Sequence, residues 1–131
     1  MNIIQKLQKL IYNSVSNNTQ NIKVYSCSNK DISFPYIIFE LEKSKNEKLF
    51  AGEKYSVWVN IKIFDKNETS TKIIEVSEEI RENMMELLNI KIDNSAIVSI
   101  VCENSSLEMY NGLNSVWNSS LEFKFIINGY K

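Results

Sequence analysis

The stretch Lys54-Tyr55-Ser56-Val57-Trp58-Val59-Asn60-Ile61-Lys62-Ile63 alternates without a break. Tyr55, Val57, Val59, Ile61 and Ile63 fall on one side; Ser56, Trp58, Asn60 and Lys62 fall on the other. A side-chain period of two is that of a half-buried β-strand. A second run precedes it, directly after Pro35, the only proline in the chain. There Ile37, Phe39 and Leu41 alternate with Ile38, Glu40 and Glu42. Proline fixes φ and lacks an amide donor, so it belongs at the start of a strand and biases Phe34 toward extended geometry. The polar segment 43–53, with Gly52, joins the two runs, which predicts a hairpin with a connection longer than a tight turn. A two-stranded ribbon is marginal in water, so one face must be covered.

The cover is written at helical spacing. In residues 3–15, Ile3, Ile4, Leu7, Leu10, Ile11 and Val15 share one face, with Gln5, Lys6, Gln8 and Lys9 opposite. After the cap-rich segment 65–71, a second stripe contains Ile73, Val76, Ile80, Met84, Leu87 and Leu88. Its solvated side carries Glu75, Glu78, Glu79, Arg81 and Glu82, acidic toward the N-terminal half, where the helix dipole favours negative charge. Residues 22–26 read as a short strand and 96–103 as a longer one. Residues 104–114, with Gly112, read as a loop. Residues 115–128 form a final strand with Trp117, Leu121, Phe123, Phe125 and Ile127 on one face. The expected fold is α+β: two helices on one face of a largely antiparallel sheet of four or five strands, in the order α-β-β-β-α-β-β. At 131 residues, with no internal linker or repeat, the chain reads as a single domain over 1–131.

Composition narrows the function. Hydrophobic residues are 44% and charged residues 24%, an ordinary globular balance. The net charge is −1 and Arg81 is the only arginine, which argues against sequence-specific nucleic-acid recognition. No segment approaches the run of about 20 apolar residues needed to span a membrane, and residues 1–7 lack the apolar centre of a signal peptide. Cys27 and Cys102 form no C-x-x-C pair and read as small buried hydrophobes in a reducing compartment. Histidine is absent, which removes the commonest general base and metal ligand. There is no glycine-rich phosphate loop, and the Glu78-Glu79 pair belongs to a solvated helix face. No catalytic residue, cofactor site or metal site is expected, and an enzyme is disfavoured.

What remains is surface. Leu49 and Phe50 stand in a charged segment, and Met109 and Tyr110 stand beside Gly112. Trp58 lies on the polar face of the best strand, either beneath the first helix or open to a partner. Aromatic residues and Met are enriched in protein–protein interfaces, so Leu49, Phe50, Trp58, Met109 and Tyr110 are the candidate contact residues.

From the segment 34–40, FPYIIFE, onward, the chain resembles the tail terminator (tail completion) proteins of tailed bacteriophages and phage-tail-like particles. The shared pattern is an initial helix, a Pro-Tyr-hydrophobic start to the first long strand, a charged loop with glycine, and the strand GEKYSVWVNIKIF. It continues with a helix carrying Val76, Ile80, Met84 and Leu88, then a strand, the Asn111-Gly112 loop and a last long strand. The resemblance spans roughly residues 34–128. One difference is the lack of arginine after Glu103. The resemblance implies a homo-hexameric ring capping the tail tube, ending tube polymerisation and presenting a head-proximal surface for joining. The implied partners are copies of the chain itself, the tail tube protein, and a sheath or neck/connector protein, with no cofactor. The implied location is the bacterial host cytoplasm during assembly and then the particle's tail. Another head–tail connector of the same particle is the alternative reading; a small ligand-binding module or an enzyme is a more distant one.

Overall fold

The structure is a computed structural model, and it describes residues 2–18, 22–26, 33–67, 69–109 and 115–130. In chain order the elements are α1 (Ile3–Asn18), β1 (Lys23–Tyr25), β2 (Tyr36–Leu49), β3 (Gly52–Lys66), α2 (Thr71–Met85), β4 (Lys91–Ile92), β5 (Ser95–Met109) and β6 (Val116–Tyr130). The six strands form one sheet in the order β1-β2-β3-β6-β5-β4. Only the β1–β2 pair is parallel. The expected α+β architecture holds, with the strand count raised to six by the very short β4. Its two residues pair with Ala96 and Ser95 across the Asp93–Asn94 turn, too short a run to show a period. Asp93 sits there at φ 55°, a conformation that Asp tolerates better than most residues. Its carboxylate accepts from the Lys6 ammonium at 2.6 Å, tying α1 to this turn.

The alternation in β3 places Val57, Val59, Ile61 and Ile63 in the core, where they meet Ile37 and Phe39 of β2 and Leu121, Phe123, Phe125 and Ile127 of β6. Leu7, Ile11 and Val15 of α1 and Ile73, Val76, Ile80 and Met84 of α2 close the same cluster. Asn2 and Gln5 start α1 with reciprocal bonds: the Gln5 amide donates to Asn2 Oδ1 at 2.9 Å, and the Asn2 amide donates to Gln5 Oε1 at 3.0 Å. That is a capping box, with two otherwise orphaned amides satisfied. In α2 the dipole expectation fails, because the first turn holds no acidic residue and Ser70 makes no side-chain cap; the dipole effect fades beyond that turn. The helix ends before Leu87, so Leu88 falls in the following turn and is exposed rather than part of the buried stripe. Asn89, at φ 70°, completes the turn and donates its amide to the Ile97 carbonyl at 2.8 Å.

Two expected loops are strand instead. Residues 43–49 continue β2 and pair with β3 down to Leu49↔Gly52, leaving Phe50 and Ala51 as a tight turn. Residues 104–109 continue β5 and pair with β6 down to Met109↔Trp117. Both extensions are solvated on both faces, so no hydrophobic alternation marks them. Their ladders are supported instead by cross-strand partners such as Glu47↔Lys54 and Lys48↔Glu53. Four strands thus run the length of the sheet, roughly 50 Å at 3.3 Å per residue. The bare extensions occupy opposite edges and opposite ends of it.

Candidate interaction surface

The sheet has two edges that are open along most of their length. β1 covers β2 only at Tyr36–Ile38, so the outer side of β2 from residue 39 to 49 faces no strand among the described residues. β4 covers β5 only at Ser95 and Ala96, and Ile97 is held by backbone hydrogen bonds with Asn89 and Ile90, so the outer side of residues 98–109 faces no strand among the described residues. Unpaired strand edges carry rows of amides and carbonyls that template pairing with another chain. On the outer half of β2, Lys43, Lys45 and Lys48 outnumber Glu47; the open length of β5 carries Glu103 and Glu108 with no basic residue. β5 also exposes Val98, Val101, Leu107 and Met109.

The candidate contact residues are distributed over this surface. Leu49 and Phe50 form the β2–β3 tip; Leu49 is exposed, and Phe50, at 106% relative exposure, touches almost nothing of its own chain. Met109 is half-exposed at the end of β5, at the opposite end of the sheet from the tip. Tyr110 and the Asn111-Gly112 loop lie outside the described residues, as does Cys27. Cys102 is a free thiol on β5, only partly buried, and donates weakly to the Asn104 carbonyl at 3.5 Å. It is therefore less enclosed than its strand pattern suggested.

Trp58 is not beneath α1. Both helices pack on the other face, and Trp58 is half-buried on the helix-free side by lysine stems. Ammonium groups of Lys43, Lys124 and Lys45 lie 4.4, 4.9 and 5.8 Å from its ring centre. No sequence pattern announces this grouping, because it depends on a register shift between Leu41 and Lys43. Uninterrupted pairing would put Glu42 opposite Trp58; the bulge puts Lys43 there.

The displaced Glu42 shares a neighbourhood with Glu122. Desolvation raises its pKa above the ordinary glutamate range, and the hydrogen bond and negative charge of Glu122 raise it further. A hydrogen bond from Asn60 and the charge of Lys43 offset part of that rise. Such a carboxyl holds its proton more tightly in the fold than in the unfolded chain. The fold therefore gains stability in acid and loses it as pH rises through the Glu42 titration. Glu42→Gln is expected to raise the urea midpoint above the parent's at neutral pH, with the two converging in acid. A constant offset at every pH would contradict that assignment.

On the helix side, an open cavity of about 170 Å³ lies between α2 and β5, lined by Ile74, Ser77, Arg81, Ser105, Leu107 and Ser119 among others. Arg81 donates to Glu78 at 3.2 Å, and the buried Ser77 and Ser119 hydroxyls share a hydrogen bond at 2.6 Å. Among the described residues no group of three or more His, Cys, Asp and Glu is placed to hold a metal, and no helix is long and apolar enough to cross a membrane.

No family model matches the sequence, and no curated protein matches it. Among solved structures, the chain is similar to one in the virion of a native gene transfer agent (GTA) particle, with a TM-score of 0.72. The likeness covers 94% of this chain and 95% of that one at 9% identity. It shows a shared fold over nearly the whole of both chains.

Proposed function

We propose that this chain is a structural protein of a phage-like particle, forming a ring that caps the tail tube, ends its polymerisation and offers the head-proximal surface for joining. The observation that carries this reading is the pair of open strand edges. β2, β3, β6 and β5 alternate in direction, so β2 and β5 run antiparallel to each other on opposite sides of one sheet. Rotating a second copy about a ring axis brings its β2 beside the first copy's β5 in an antiparallel sense, and repetition closes the sheet on itself. The lysines of one edge meet the glutamates of the other only when the copies are staggered, because the two groups lie at opposite ends of the sheet. Closing a sheet also requires stagger between strands, and a stagger that slides β2 43–49 toward β5 103–109 increases this match.

The fold shared with a chain of a gene transfer agent virion supports the particle setting, and the resemblance to tail terminators supports the place at the end of the tube. In this reading the ring is a homo-hexamer, its partners are the tail tube protein and a sheath or neck protein, and binding geometry is the whole function. The test is to add the purified chain to polymerising tube subunits of its own particle and measure tube lengths by negative-stain microscopy. Tubes that stop growing, each with density at one end, are expected. Tubes that lengthen unaffected would contradict the proposal.

A further inference from the structure

The lysines around Trp58 gather with only the adjacent Glu42 felt by one of them, Lys43. Trp58 on β3 pairs with Lys43 on β2 and with Lys124 on β6, and Lys45 follows one step along the same face. Their three ammonium groups converge on one indole. The indole's negative face draws cations toward it and lowers the cost of gathering them. Among the described residues none of the three forms an ion pair. The nearest row on this face holds Glu40, Asn60 and Glu122, with the bulged Glu42 associated with Glu122. Without the bulge at Glu42, a carboxylate would face Trp58 and the cluster would be neutralised. The register shift thus gathers positive charge in the middle of a sheet face that carries no helix.

We propose that this cluster is a docking site for the phosphodiester backbone of a nucleic acid, bound without regard to sequence. Lysine ammoniums bind phosphate as point charges and lack the fork with which arginine reads bases. A helix-free sheet face with an aromatic residue among cations is a surface over which a strand can lie. The chain's single arginine, Arg81, is on α2, which packs on the other face, so this site has no base-reading side chain of that type. Binding at this site is therefore expected to be independent of sequence. The three lysines and Trp58 belong to one subunit, although Lys43 and Lys45 also lie on the β2 edge that the ring reading joins to β5.

The test is fluorescence anisotropy of a short labelled duplex and of labelled oligothymidylate, each titrated with the intact chain over a range of salt. The Lys43→Gln/Lys45→Gln/Lys124→Gln variant is expected to bind at least about tenfold more weakly, with the salt slope reduced by about three. Lys62→Gln, on the same face but two rows away, is expected to bind as the parent does. Native mass measured on every variant separates loss of binding from loss of assembly. Parent binding that is absent at low salt, or unchanged in the triple variant, would overturn the proposal. Polyglutamate binding more tightly than either oligonucleotide would overturn it in favour of an acidic protein segment. Tripolyphosphate binding as tightly as the oligonucleotides would overturn it in favour of a site for small anions.

Discussion

Changing Leu49 and Phe50 together to serine is expected to leave the isolated subunit as stable as the parent while abolishing its hold on the tail tube. Leu49 ends β2 opposite Gly52, Phe50 turns with Ala51, and Phe50 is fully exposed. Little apolar area is therefore buried within the subunit at this tip, and surface substitutions of this type change stability by no more than about 0.5 kcal/mol. Exposed aromatic and aliphatic side chains on a projecting tip have their energetic value in a complex, where burying one such side chain contributes about 1.5–3 kcal/mol. Two of them on every subunit of a ring add up over the ring. The variant should show an unchanged urea midpoint and tubes that grow past their normal length. A variant that still stops the tube would remove Leu49 and Phe50 from the interface.

The largest effect on stability is expected at the opposite extreme of burial. Phe123 has no exposed surface, sits between Val59 and Cys102 on its neighbouring strands, and packs its ring 6.4 Å from that of Phe125. Phe123→Ala should cost about 3–5 kcal/mol, the transfer energy of the ring plus the cavity left behind. Against the total of about 5–15 kcal/mol typical of a domain, that loss is severe. Phe123→Leu keeps most of the volume and should cost less than about 1.5 kcal/mol. Chemical denaturation of both variants provides the check, and similar losses for the two would show that ring volume is not what Phe123 supplies.

Where burial divides a strand into two unlike faces, the residues declare the fold. β3 and β6 alternate cleanly because one side meets the helices, and α1 and the buried face of α2 carry the matching helical stripes. The outer halves of β2 and β5 do not declare themselves, since neither of their faces is buried and their alternation loses its cause. In β2 the signal was electrostatic, with Glu47 and Lys48 opposite Lys54 and Glu53 about a tight turn; β5 offers no such pair. The Asn2–Gln5 capping box was also available at the correct spacing. Leu49, Phe50 and Met109 were legible as apolar residues in polar surroundings, and the structure leaves them exposed. The surroundings of Trp58 were not legible, because one extra residue at Glu42 decides which charges face it, and a bulge leaves no periodic trace. The open edges that carry the ring proposal emerge only once strand order and pairing lengths are known.

That proposal rests on subunits joining edge to edge in a closed ring. Native mass spectrometry of the purified chain, with six-fold symmetry sought in negative-stain class averages of the same sample, tests it most directly. A closed hexamer with a central opening is the expected result. A monomer, or a two-fold dimer with the β2 and β5 edges still free, at every concentration examined would contradict it.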